Sequence, residues 1–380
     1  MRLYTYMKRR SSILPVLCPL LLLFYIFCSF PKGNEEETIK YILYWNSAYG
    51  SLDYGFCCGK EPYIKFNCRP KRNCFVTNNR SLLPAVSDFD AILFNHRTLS
   101  KDDIPSKRSP HQRYIFYALE SPSNKLYVET SEWNGFFNWS MTYRLDSDFP
   151  ILHGKLVSKT SDSQLTLDDP SIEHFGLLNA KRFTRGKKKF AAWFVSNCLT
   201  KSRRELLVNA LRQHGIKVDI YGECGKQFCP KSQEASCWEK IESEYKFYLS
   251  FENSICKDYV TEKLWNALNR SIVPIVLGGG DYASFLPKNS YIDATTSAKF
   301  VQNPRVLAKQ LKELDRSDAK YAEYFWWKNR FSARVLTVED HAERHCQLCE
   351  RLHEDASTKV ISDLEEWWER QAQCRRVRLE

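Results

Sequence analysis

Residues 245–280 read YKFYLSFENSICKDYVTEKLWNALNRSIVPIVLGGG, and this stretch decides the fold. Tyr245 to Phe251 is a short apolar and aromatic run, as a buried strand is. It breaks at Glu252-Asn253-Ser254. A helix is predicted from about Tyr259 to Leu268, with Asp258 as its N-cap. Val273 to Leu277 is a second strand, ended by Gly278-Gly279-Gly280. Working upstream, Phe190 to Val195 is a strand followed by Ser196-Asn197. Leu206, Leu207, Ala210 and Leu211 form an apolar stripe over Ser202 to His214, and Gly215 can end that helix. Val218 to Tyr221 is a further strand, with Gly222 after it. Strands and helices alternating over short connections predict a doubly wound parallel sheet.

The first half carries fainter signals. Tyr41–Trp45, Ala91–Phe94 and Arg113–Leu119 are short β-branched and aromatic runs, with a Cys-rich region from Gly55 to Cys74 between the first two. The expected class is α/β, with the boundary between halves in the basic stretch Asn179 to Lys188. The 380 residues are enough for two domains, and 43% hydrophobic content excludes a disordered or fibrous chain.

The N-terminus supplies an address. Arg2, Lys8, Arg9 and Arg10 precede an uncharged run from Ile13 to Phe30, roughly 27 Å as a helix. Basic residues before the span predict a cytoplasmic tail (1–12), a transmembrane signal anchor (13–30), a short stem (31–39) and a luminal remainder. A cleaved signal peptide is disfavoured because no small-residue cleavage site follows. Twelve cysteines lie beyond the span, and in an oxidising lumen they are expected in disulfides rather than zinc sites. Sequons start at Asn79, Asn138 and Asn269. The net charge of +11 reads as a solvated surface with a preference for an anionic substrate. No nucleic-acid fold accompanies it, and nucleic acid is not expected as a partner.

Ligands of open parallel sheets bind beyond the carboxyl ends of strands. Ser196-Asn197, Glu252-Asn253-Ser254 and the three glycines stand at such ends. The helix start near Glu262-Lys263, with Arg204 from the preceding helix, can hold a diphosphate, and Glu262 suits sugar hydroxyls. A solvated Glu262–Lys263 surface pair is the competing reading. In the first half, Glu120 follows a strand and can serve either as a general base or as a loop anchor. His96-Arg97 is placed for substrate hydroxyls or for a salt bridge. Asp146-Ser-Asp148 mimics a metal-binding pair, with loop capping as the alternative. Walker, dinucleotide-binding and nucleophile-elbow motifs are absent.

At Phe247–Lys263, continuing through Asn266–Leu268 and Val273–Gly278, the chain resembles the α1,3-fucosyltransferase family. Ala118–Pro122, Met141–Asp148, Trp193–Asn197 and Cys346-x-x-Cys349 match in order, so the resemblance spans roughly residues 40 to 350. Ser196–Cys198, Tyr221–Gly225 and Tyr245–Tyr248 look most like the invertebrate and plant branch that acts on N-glycan cores. The resemblance implies a GT-B fold, with two Rossmann-like domains facing a cleft: an acceptor-side domain (40–185), a GDP-fucose-binding domain (186–350) and a C-terminal extension (351–380). It implies an inverting, Golgi-membrane transferase using GDP-fucose, with Glu120 as general base. Arg204 and Lys263 match phosphate contacts, Glu262 a ribose contact, and Ser196, Asn197, Asn253 and Tyr259 the donor pocket. Tyr143 and Arg144, with His96 and Arg97, fall on the acceptor side. No obligatory metal is implied, although stimulation by Mn2+ or Mg2+ is compatible with the family. Disulfides joining Cys68 or Cys74 to Cys346 or Cys349 are implied as well. Leu264-Trp265-Asn266 departs from the core-modifying branch, which leaves the acceptor open between the N-glycan core GlcNAc and antennal LacNAc or LacdiNAc. A catalytically inactive glycan-binding relative and a transferase for another nucleotide sugar are the alternatives.

Overall fold

The structure, a computed structural model, describes residues 38–379 apart from 49, 69–71, 125–128, 160–167, 169–170 and 296–301. The expected membrane span lies outside the described residues. Among those described, no helix is long and apolar enough to cross a membrane.

Two five-stranded parallel sheets carry the fold. The first comprises β1 (Lys40–Tyr44), β2 (Cys74–Thr77), β3 (Ala91–Asn95), β4 (Arg113–Ala118) and β5 (Trp139–Thr142), in the order β2-β1-β3-β4-β5. A strand β6 (Gly154–Ser158) follows. The second sheet comprises β7 (Lys189–Phe194), β8 (Val218–Tyr221), β9 (Tyr245–Phe251), β10 (Val273–Leu277) and β11 (Ile292–Asp293), ordered β11-β10-β9-β7-β8. Counted within its own half, each sheet has the same doubly wound order. The order in which successive strands are added reverses at one crevice, between β1 and β3 in the first and between β7 and β9 in the second. Every residue of β3, β4, β9 and β10 is buried, which is why these strands read as largely apolar and aromatic runs, with Asn95, Arg113, Lys246 and Ser250 as their polar members. Finally β12 (Phe331–Val335) pairs antiparallel with β6.

The principal helices are α1 (Ile172–Thr184), α2 (Arg204–Gln213), α3 (Glu234–Glu244), α4 (Glu262–Leu268), α5 (Pro304–Arg316) and α6 (Val338–Glu354). The basic stretch expected between the halves is largely helical: α1 runs through it to Thr184, anchored by Phe183 stacked on Phe325 at 4.2 Å. Its exposed Leu177 and Leu178 blur the stripe that would have marked a helix. The predicted N-cap also moves. Asp258 takes a left-handed conformation (φ 62°), and its carboxylate accepts from the Leu145 amide at 3.3 Å. The helix therefore begins later, with Thr261 at the N-cap.

The C-terminal segment closes the molecule. In α6, Ala342, Leu348 and Cys349 join the core beneath the first sheet. Cys68–Cys346 and Cys74–Cys349 disulfides tie first-half loops to the same helix. Beyond it, Leu364, Trp368 and Ala372 cover the opposite face of that sheet, and Val377 reaches the core of the second. The Cys256–Cys374 bond and the Arg375 amide on the Ile255 carbonyl (2.7 Å) fasten this tail to the loop after β9. The described part of the expected C-terminal extension (351–379) therefore contributes to both cores. Disulfides Cys57–Cys58, Cys198–Cys224 and Cys229–Cys237 complete the pairing of the twelve cysteines.

Candidate active site

The crevice of the second sheet lies where the sequence sets its polar clusters. Ser196 and Asn197, exposed after β7, are held by the Cys198–Cys224 disulfide to the loop after β8. Across from them, β9 ends in Glu252, only 1% exposed. Its carboxylate accepts from the Thr261 amide (2.8 Å) and hydroxyl (2.8 and 3.0 Å), which fixes the start of α4. Lys263 sits 3.3 Å from Glu252 and donates to Thr261 Oγ1 and Glu262 Oε1, both at 2.9 Å. Burial works against the Lys263 charge, but Glu252 and then Glu262 outweigh it and hold the ammonium above its ordinary value. Burial pushes the Glu252 carboxyl upward, opposed by Lys263. Burial likewise acts to raise Glu262, yet Lys263 and His153 hold it below its ordinary value. The pair is thus a three-member network with one interior carboxylate and one, Glu262, half exposed.

Arg204 is used differently from expectation. The residue is 3% exposed, and its guanidinium donates to the carbonyls of Phe251 (2.6 Å) and Asn197 (3.2 Å), lacing the ends of β9 and β7 together. Only Nε is uncommitted, and it is buried without a partner. Asn253 Oδ1 and Ser254 Oγ are buried without partners at the same strand end. Buried polar atoms are nearly always satisfied, so this concentration marks the crevice as a place for a polar ligand.

The first sheet contributes Glu120, two residues beyond β4. Tyr259, 1% exposed, donates to Glu120 Oε2 at 2.9 Å, and Asn124 Nδ2 reaches the same oxygen at 3.2 Å. Burial, then the Glu120 charge, pushes the Tyr259 phenol well above its ordinary value, so it remains a donor. Tyr259 belongs to the loop after β9, so the bond joins the carboxyl ends of the two sheets. The Tyr259 ring also meets Tyr143 edge-on at 4.9 Å.

Tyr143 opens onto a largely apolar cavity of about 550 Å³, whose walls include His153, Leu156, Val260, Trp265 and Phe285. Gly154 is required there: a Cβ would come within 2.1 Å of the Trp265 ring. Trp265 is one of the residues that departs from the core-modifying pattern. The Tyr143 hydroxyl and His153 Nε2 are buried without partners. Sequence reading missed His153, and it registered Glu252 only as part of a strand-end cluster and Trp265 only as a departure from the family pattern.

Other candidates fall elsewhere. The first sheet's own crevice is filled by Asn46, which donates to the Asn95 carbonyl (2.8 Å) and accepts its amide (2.7 Å). His96 turns into an aromatic cluster with Phe116 and Trp368, and burial pushes its imidazole down to about 3. Both of its ring nitrogens are buried without partners, and Arg97 follows it, half buried, in the next turn. Arg144, fully buried, is spent on Asp146 through a two-pronged ion pair and on the Trp367 carbonyl. Asp148 accepts from Ser140, Arg351 and Lys359. Asp146 and Asp148 are therefore structural anchors, which is the loop-capping alternative. Asn138 is 5% exposed, with its amide donating to the Lys359 carbonyl and accepting from the Tyr114 amide (both 2.8 Å). A glycan at that sequon is incompatible with the packing, whereas Asn79 and Asn269 are exposed.

Comparison with known proteins accords with this geometry. Residues 184–367 match the family model described as glycosyltransferase family 10 (fucosyltransferase) C-term, and residues 37–154 match fucosyltransferase, N-terminal. Alpha-(1,3)-fucosyltransferase C of Drosophila melanogaster is 36% identical, the match covering 89% of this chain and 80% of the relative. Glycoprotein 3-alpha-L-fucosyltransferase A of the same fly is 31% identical over 93% of this chain and 65% of its own length. Alpha-(1,3)-fucosyltransferase fut-1 of Caenorhabditis elegans is 31% identical, over 85% and 67%. A crystal structure of an alpha1,3-fucosyltransferase with GDP-fucose shares the fold at 15% identity and a TM-score of 0.50, covering 87% of this chain and 95% of that one. The chain belongs to the α1,3-fucosyltransferase family, within glycosyltransferase family 10.

Proposed function

We propose that the chain transfers L-fucose from GDP-fucose, in α1,3 linkage and with inversion, to a GlcNAc of N-glycans. The observation that supports this most is Glu120. Tyr259 and Asn124 both donate to its Oε2, and the proposed reaction uses the other oxygen, Oε1. In the proposed reaction, Oε1 takes the proton of the GlcNAc 3-hydroxyl as that oxygen attacks the fucose anomeric carbon from the face opposite the diphosphate. The bond to the diphosphate breaks with its electron pair, and GDP leaves. Lys263 meets the growing phosphate charge, and Arg204 holds the loop of Asn197 and the end of β9 in register. Glu262, the half-exposed member of the network, is the partner that can leave Lys263 for the donor ribose. Ser196, Asn197 and Asn253 complete the donor pocket, and the cavity from Tyr143 to Trp265 takes the acceptor. No step calls for a metal. Mn2+ or Mg2+ acts, if at all, as a supplementary counter-charge on the diphosphate. Six disulfides fit a secretory lumen, and the expected anchor makes this a type II Golgi membrane enzyme.

The test incubates the chain with GDP-fucose and either a paucimannose N-glycan or a LacNAc oligosaccharide, with products read by linkage analysis. Glu120→Gln is expected to keep GDP affinity and lose turnover by roughly 10²–10⁴-fold. Near-native turnover in that variant refutes the assigned base. GDP binding without transfer by the native chain would favour an inactive glycan-binding relative, and binding of a different nucleotide would favour another donor sugar.

A further inference from the structure

The C-terminal segment 372–377 supplies no side chain to the candidate site, yet it is bonded to both loops that carry the site. The Lys257 amide donates to the Ala372 carbonyl and the Arg375 amide to the Ile255 carbonyl, both at 2.7 Å. Between these bonds the Cys256–Cys374 disulfide fixes the register. Cys256 is fully buried. Its Sγ lies 3.4 Å from Ser123 Oγ, in the loop of Glu120, and its carbonyl accepts from the Tyr259 amide at 3.1 Å. Further along, the Val377 amide donates to the Ser202 carbonyl at 2.8 Å. Ser202, 0% exposed, is itself a clasp: its amide donates to the Asn253 carbonyl (3.0 Å) and its hydroxyl to the Glu252 carbonyl (2.8 Å).

The two places the segment reaches differ in consequence. At Ser202 it holds the clasp that joins the end of β9 to the approach to α2, where Asn253 and Arg204 stand. At Cys256 it holds the turn that carries Tyr259, whose hydroxyl donates to Glu120. Ordering a loop beyond a strand end costs conformational entropy, and a segment that orders it beforehand removes that cost from ligand binding and from the reaction. We propose that residues 372–377 are a positioning strut for the fucosyl transfer proposed above, on which this inference rests. The Val377 amide, acting through Ser202, sets the donor side. The Cys256–Cys374 disulfide, acting through Tyr259, sets the base side. The start of α4 keeps its own anchor, the Glu252 carboxylate on Thr261, so the two effects separate: loosening the Ser202 clasp disturbs donor binding, and loosening the Tyr259 turn disturbs the base.

The experiment uses the full-length chain, with steady-state kinetics in both substrates and calorimetric GDP binding. Val377→Pro removes the N–H and should weaken GDP binding about three- to tenfold, raising KM for GDP-fucose with it, while kcat stays within about twofold of native. Val377→Ala trims the same side chain but keeps the N–H, and should recover the GDP affinity. Replacing Cys256 and Cys374 together with Ser should do the reverse, lowering kcat about three- to tenfold while GDP affinity stays within about twofold. In a Tyr259→Phe background the serine pair should add little, because both changes act through one hydrogen bond. Equal loss of GDP affinity in the Pro and Ala variants overturns the inference, as does a serine pair that lowers kcat as much without the Tyr259 hydroxyl as with it. Either comparison decides the matter if the other set misfolds. Native kinetics and GDP affinity in the folded Pro variant or in the folded serine pair overturn it too. If the native chain binds GDP but transfers no fucose, the proposed function falls, and the Pro and Ala variants still test the donor side of the strut through GDP affinity alone.

Discussion

Replacing Tyr259 with Phe isolates the contact between the two sheets. The substitution keeps the ring, and with it the edge-on packing against Tyr143 at 4.9 Å, but deletes the hydroxyl that donates to Glu120 at 2.9 Å. A hydrogen bond to a charged group contributes about 1.5–3 kcal/mol, which corresponds to about 10–150-fold in rate if all of it orients the base. Asn124 still holds the same carboxylate oxygen at 3.2 Å, so the loss should fall in the lower part of that range, about 10–30-fold in kcat. GDP affinity should not change, because the hydroxyl touches Glu120 rather than the Lys263 network. Global stability should fall by only about 1 kcal/mol, since Glu120 lies at the cleft where water can replace the donor. The assay is steady-state kinetics for both substrates, alongside calorimetric GDP binding. In a Glu120→Gln background the effect should nearly vanish, because there is no longer a base to orient. A Tyr259→Phe enzyme with kcat within twofold of native would refute this reasoning, and so would a loss confined to GDP affinity.

Lys263→Ala should weaken GDP binding and also lower stability by about 3–5 kcal/mol, since it strands the interior Glu252 carboxylate. Adding Glu252→Gln should recover most of the stability in urea titrations but not the GDP affinity. Gly154→Ala forces Trp265 into the cavity, so KM for the acceptor should rise about tenfold or more while GDP binding holds. An unchanged KM would mean that the acceptor lies elsewhere. Asp148 is held below its ordinary value: burial acts to raise it, but Lys359 and Arg351 outweigh that. Its stabilisation is then present above the unfolded value of about 3.9 and is lost as pH falls through the lower native one. Asp148→Asn should cost about 1–3 kcal/mol at neutral pH, with the gap to native narrowing below about pH 4 in urea melts.

The second sheet and its crevice were legible in the sequence because their signals are local. In β9 and β10 nearly every residue is apolar, since both faces of the sheet are covered, and Glu252-Asn253-Ser254 and Ser196-Asn197 mark where burial stops. The Thr261–Lys263 turn follows within a dozen residues, so an anion site could be read without knowing the fold. Wherever a residue's meaning lies in a distant partner, the sequence was silent or misleading. Arg144 resembles an exposed substrate contact until Asp146 and the Trp367 carbonyl enclose it. Asn138 satisfies a glycosylation motif, but its amide is consumed by Tyr114 and Lys359, and Asp148 meets Arg351 some two hundred positions away. Asp258 has the residue type of a helix cap, and only the path of its loop assigns it a left-handed conformation.

By itself, then, the sequence determined the parallel-sheet class, the strand ends that carry polar groups and the family, since propensity, periodicity and a contiguous motif are properties of neighbouring residues. Tertiary structure alone decided what surrounds Glu120: Tyr259, 139 positions later, delivers a hydroxyl to one of its oxygens and so joins the ends of the two sheets. His153 and Trp265 likewise became walls of one cavity only when the two sheets met. A side chain's chemistry is set by what surrounds it in space, and at this site those surroundings are assembled from segments that the chain holds far apart.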